Sequence, residues 1–344
     1  MSENRRGPVR RLLVGIWRVL DFSRRFILTV LFLLLVGLVV SMFFRPELQL
    51  SERTALVIEP VGQIVEQYSA SAADRAISKF VGDEIPEVRL RDLLRALESA
   101  AADARIERVF LRLDKLQGAG MATLRELGGA IDQVRQRGKE VIAYGDWYGQ
   151  GAYYLAARAN EIYMHPFGTA ALEGFGRYRL YYAEALNKLG IEARLFRVGE
   201  YKSAGEPYVR NEASPEAREA DRYWMSDLWQ RYLTDIATAR RLDSARIQAD
   251  ADHFPSLLKA AGGDAAKIVL DAGLVDGLKT IDEVRALMID KGVRDEDNHS
   301  FRQVAMEDYL AILDRAETAE RIHDAGAPVA IVVAQGTIVD GEQG

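Results

Sequence analysis

Between Phe26 and Phe44 the chain reads FILTVLFLLLVGLVVSMFF, nineteen residues without a charged side chain. At 1.5 Å per residue, a helix of that length spans the ~30 Å hydrocarbon core of a bilayer. The run is apolar on all sides, so it lacks the polar face a surface helix turns to water. Arg24 and Arg25 precede it, Arg45 follows it, and Arg5, Arg6, Arg10, Arg11 and Arg18 lie upstream. This excess predicts a basic cytoplasmic N-terminus over 1–25, a transmembrane anchor over 26–44, and a body beyond the membrane. A cleaved signal peptide calls for a shorter apolar region followed by small residues. Ser41-Met42-Phe43-Phe44-Arg45-Pro46 is bulky instead, so a retained anchor is the expectation.

Charge divides the chain the same way. Residues 1–50 hold eight Arg and three acids, a net of +5, within a total of 45 basic and 51 acidic side chains. The remaining 37 basic and 48 acidic residues give the body a net of −11. An acidic body speaks against nucleic acid as a partner, which needs phosphate-neutralising charge. Cysteine is absent, which removes disulfides, thiol nucleophiles, cysteine-held zinc and iron–sulfur clusters. At 49% hydrophobic and 28% charged, the composition is that of a globular chain, neither disordered nor polytopic.

The body alternates strands and helices, the pattern of an α/β fold. After a linker (Arg45–Arg53), strands are expected at Ala55–Ile58, Val109–Leu113, Glu140–Tyr144, Glu161–Met164 and Arg194–Val198. Helices are expected at Val88–Ala104, Met121–Arg137 with Gly138 at its end, Gly151–Ala159, and Tyr181–Leu189 ended by Gly190. Ser214-Pro215-Glu216 opens a further helix to about Arg240: Ser as N-cap, Pro at the first position, an acid in the first turn. Residues 55–66 (ALVIEPVGQIVE) and 330–340 (AIVVAQGTIVD) share a four-residue apolar strand, a glycine turn and an Ile-Val-acid ending. The breaker cluster at 324–328 precedes the second copy. A first domain is therefore expected over 54–326, with the truncated start of a second repeat over 327–344.

Few residues offer chemistry. His165, His253, His299 and His323 show no metal-ligand spacing, and there is no P-loop or G-x-S-x-G elbow. No cofactor is expected. Lysine is scarce, nine of the 45 basic residues. Lys202 stands out: it follows an apolar run and a glycine turn, with Tyr201 and Tyr208 beside it.

The stretch Arg197-Val198-Gly199-Glu200-Tyr201-Lys202-Ser203-Ala204-Gly205-Glu206-Pro207-Tyr208, continuing through Ser214-Pro215-Glu216-Ala217-Arg218-Glu219-Ala220, resembles protease IV, the long, tandem-repeat form of signal peptide peptidase A. The resemblance extends to the anchor and to residues 151–174, 272–276 and 336–341, and corresponds to the first half of that form. It implies a crotonase/ClpP-like fold of repeated ββα units arranged as a superhelix, preceded by one transmembrane helix. It implies a serine endopeptidase of the bacterial inner membrane with a periplasmic body. Its partners would be signal peptides and other hydrophobic peptides, and the full-length assembly a homotetramer. The family uses a Ser/Lys dyad in which the first half gives the lysine base and the second half the serine. Lys202 matches the base. Where the active half has its serine, this sequence has Gln150 in Gly149-Gln150-Gly151-Ala152-Tyr153, and Gln117-Gly118-Ala119-Gly120 only partly resembles the oxyanion-hole glycines. A lysine base must be neutral, and burial is what lowers its ordinary pKa of ~10.4. The alternative is a non-catalytic, membrane-tethered half that only assembles with a partner chain. An acyl-CoA enzyme of the same superfamily is a third reading, against which the anchor and the Lys202 motif both count.

Overall fold

The computed structural model describes residues 8–43, 50–82 and 85–321. Two compact units divide between Gln49 and Leu50. The first is one helix, Pro8–Phe43, of 36 residues. Its described side chains are 16–18 and 20–37, so only Phe26–Gly37 of the expected span is represented. Among the described residues no helix is long and apolar enough to cross a membrane. The second repeat copy at 330–340 lies outside the described residues.

The second unit is built on parallel strands. In chain order they are β1 (Thr54–Ile58), β2 (Gly62–Val65), β3 (Glu87–Arg89), β4 (Ile106–Arg112), β5 (Leu116–Gly118), β6 (Glu140–Gly145), β7 (Glu161–Met164), β8 (Gly277–Leu278), the short antiparallel pair β9 (Arg294–Asp295) and β10 (Ser300–Phe301), and β11 (Gln303–Ala305). One sheet runs β11-β1-β4-β6-β7-β8 and a smaller one β3-β2-β5, both parallel throughout. β4 passes into β5 of the small sheet and the helix Met121–Gln136 returns the chain to β6; β1 likewise passes into β2, and the helix Ala72–Val81 and β3 intervene before the helix Leu90–Ala102 leads to β4. This is a repeated ββα unit. The β1–β2 corner depends on Gly62, whose φ is +84° and whose missing Cβ would lie 1.7 Å from the carbonyl oxygen of Pro86.

Both faces of the large sheet are covered, so its strands are apolar without alternation. Leu56, Val109, Leu111, Val141 and Ala143 face the main core with the helices Leu90–Ala102 and Met121–Gln136. Ala55, Phe110, Ile142 and Tyr144 face a second cluster closed by Val284 and Met288 of the helix Ile281–Lys291. The helix expected at 88–104 forms over Leu90–Ala102, with Leu90, Leu93 and Leu97 buried, while Val88 belongs to β3.

Two expectations change. Arg194–Val198 is not a strand; the segment is irregular, and Phe196 and Val198 are exposed. An apolar run forms a ladder only beside a partner strand, and the sheet ends at β8 and β11 with none for it. The short β8 and β11 were not anticipated. Each is two or three residues long and is recruited by the edge it joins, beside β7 and β1.

Candidate functional site

Lys202 stands in a tight turn after Gly199, whose φ is +108°. Its amide donates to the Gly199 carbonyl at 3.4 Å. The side chain is exposed. The main chain beneath it is firmly held. The Arg197 guanidinium donates to the Lys202 carbonyl at 2.9 Å and to Glu206 Oε1 at 3.0 Å. Glu206 is only 1% exposed. Its Oε2 accepts from the Ser214 amide at 3.1 Å. Ser214 Oγ then accepts from the Ala217 amide, capping the helix Pro215–Arg240 as its Ser-Pro-Glu opening predicts. Burial pushes the Glu206 carboxyl upward, but hydrogen bonds from Ser214 and Arg197 outweigh it and hold the group below its ordinary value.

A second feature lies where the short helix Gln150–Ala156 begins, with Gly149 at its N-cap. A cavity of about 500 Å³ opens there. Gln117 and Gly118 of β5 line it together with Trp147, Gly149 and Gln150, so residues of the 117–120 and 149–153 segments meet there. The Gln150 side chain is engaged: its Oε1 accepts from the Gly174 amide at 2.9 Å. Its carbonyl accepts from the Tyr232 hydroxyl at 2.9 Å. Asp114 lines the same cavity and accepts the Asp146 amide; burial raises its pKa first, that hydrogen bond opposing. A glutamine amide at the helix start is not itself a nucleophile.

One helix supports both features. Its Ser214 cap is tied to the Lys202 turn, while Tyr232 holds Gln150. The two anchor points are eighteen residues apart, ~27 Å along a helix axis. Among the described residues no hydrogen bond joins the 199–206 turn to the Gln150 cavity. The structure therefore ties Lys202 and Gln150 to different parts of that helix. Arg197, Glu206 and Tyr232 went unassigned in the sequence. Glu206 sits in the motif itself, eight residues before the helix cap, but nothing in a string of letters marks it as buried.

Residues 133–294, which include the Lys202 turn and Gln150, match peptidase family S49. Protease 4 of Salmonella typhi is 34% identical over 335 residues, 95% of this chain and 53% of that protein. Protease 4 of Haemophilus influenzae is 32% identical over 337 residues, 95% of this chain and 54% of that protein. The chloroplastic serine protease SPPA of Arabidopsis thaliana is 26% identical over 189 residues, 55% of this chain and 27% of that protein. The chain thus spans about half the length of the two Protease 4 sequences. Among solved structures, an enoyl-CoA hydratase/isomerase family member aligns over 69% of this chain and 76% of its own, at 14% identity and a TM-score of 0.31, a likeness too distant to carry an argument.

Proposed function

Because the chain belongs to peptidase family S49, together with Protease 4 and the serine protease SPPA, we propose that it is the lysine-bearing half of a membrane-anchored serine endopeptidase. In this reading the fold is crotonase/ClpP-like, and the substrates are signal peptides and other hydrophobic peptides already released from their precursors. Lys202 is the general base and the serine comes from a second repeat. Relatives of nearly twice the matched length support a second repeat. The uncharged run Phe26–Phe44 with its flanking arginines supports an inner-membrane anchor, N-terminus in the cytoplasm. The full-length assembly is a homotetramer.

The observation that carries this reading is the Lys202 turn. Its main chain is held by an ion pair whose carboxylate is enclosed, while its amine is left open to a partner. Large apolar side chains stand exposed just before the turn: Phe196 at 92% and Val198 at 85%. Apolar surface of this kind calls for a covering partner, and a covering repeat would also strip water from the amine. The neutral amine would take the serine hydroxyl proton as the oxygen attacks the peptide carbonyl. The resulting ammonium would return that proton to the departing amine, leaving an acyl-serine for water to hydrolyse.

Lys202→Ala in the tandem-length protein should abolish turnover of a fluorogenic hydrophobic peptide while leaving the melting temperature unchanged, since the side chain is exposed. Normal turnover by that variant refutes the assignment. Gln150 in place of a nucleophile favours a second reading, a tethered half that only assembles with a partner chain. The intact mass of the native protein separates the two: a mass near 38.4 kDa supports the second, and roughly twice that the first.

A further inference from the structure

The Lys202 turn contains a carboxylate whose burial needs a reason. A carboxylate withdrawn from water is costly unless it is paired and hydrogen-bonded. Glu206 is almost fully enclosed, although Tyr201, Lys202, Ala204 and Tyr208 around it are exposed. Both of its oxygens are used, one by Arg197 and the other by the Ser214 amide. The same Arg197 nitrogen that meets Glu206 also meets the Lys202 carbonyl. The Glu206 amide in turn donates to the Ser203 carbonyl at 3.1 Å. An unbroken series of bonds therefore runs from the Lys202 main chain through Arg197 and Glu206 to the cap of a 26-residue helix.

We propose that Arg197 and Glu206 are positioning residues, an ion pair with its carboxylate enclosed that fixes the Lys202 main chain against the first turn of the helix Pro215–Arg240 and so sets the point and direction from which the lysine side chain extends. Neither touches reacting atoms. The proposal rests on the reading of Lys202 as the base. What it adds is that this chain's own residues set that point of departure before any second repeat arrives. A misplacement of about 1 Å in a reacting group costs on the order of 100-fold in rate. The effect of loosening the pair should therefore appear in kcat rather than in KM.

The test uses Glu206→Gln, which keeps the shape and removes the charge, and Arg197→Gln. In the tandem-length protein each variant should lower kcat by about 100-fold with KM nearly unchanged, and the double variant should be no worse than either single. In the chain described above, hydrogen exchange should quicken at the amides of Glu206 and Ala217, while Val109 and Val141 in the central strands stay protected. A folded variant with wild-type kcat overturns the proposal, as does unchanged exchange at Glu206. If Glu206→Gln does not fold, Arg197→Gln decides by the same two readouts. Full turnover by Lys202→Ala would instead refute the base itself, leaving the exchange result to judge the latch alone.

Discussion

Gly62→Ala offers a direct measure of how tightly the ββα corner is built. Two costs add. The first is conformational: an L-residue held at φ +84° loses about 1–2 kcal/mol. The second is steric. The new Cβ would sit 1.7 Å from the Pro86 carbonyl oxygen and 2.4 Å from its carbon, and neither is a movable side-chain tip. Backbone must shift, and the bond it disturbs is the one from the Gln63 amide to that same oxygen, now 3.0 Å. An amide left without its partner adds about 1–3 kcal/mol. The sum is about 2–5 kcal/mol, or roughly 3–8 °C of melting temperature for a body of this size. Gly138→Ala is the control. Its φ is +81°, almost the same, but nothing lies within 4 Å of where its Cβ would be. It should lose only the conformational part. Thermal unfolding of the two variants by circular dichroism isolates the steric cost as their difference. Equal losses would refute the claim that the small sheet's closeness to β1–β2, rather than φ alone, demands glycine there.

Two pH dependences follow from the buried groups. Glu206 is held below its ordinary value of 4.5, so its stabilising contribution is complete above that value and is lost as pH falls through the lower folded one. Urea unfolding at neutral pH and in acid should show a smaller acid loss for Glu206→Gln than for the parent chain. At the other end, burial raises the tyrosines; Tyr154 is pushed up to about 12, and Tyr148, Tyr153 and Tyr232 rise as well. Their contribution is complete below the ordinary phenol value of 10.0 and is lost as pH climbs through the raised ones. Stability should fall above pH ~10, and the folded protein should show less phenolate absorbance than its 14 tyrosines give once unfolded. A full phenolate signal from all of them before unfolding would contradict it.

Much of the local structure could be read in the letters. Ser214-Pro215-Glu216 announces a helix because a hydroxyl that can accept, a ring that fixes φ and an acid at the dipole's positive end are all short-range effects. Glu161–Met164 is legible because β-propensity and length agree. Arg194–Val198 was misread on the same grounds. Its side chains suit a strand, but strand formation is decided by a neighbour it does not have. β11 shows the converse: Gln303-Val304-Ala305 has little signal of its own and is a strand only because β1 presents an unpaired edge.

The sequence alone determined the uncharged run, the α/β alternation, the lysine motif and the amide at Gln150. Each of these is a property of residue types at close spacing. Only the tertiary structure decided that Glu206 is enclosed, that Arg197 ties it to the Lys202 carbonyl, and that Gln117 and Gln150, 33 residues apart, line one cavity. The reason is physical. Burial and pairing depend on which surfaces the sheet order brings together, and that order is set by long-range packing of strands whose own sequences do not name their neighbours.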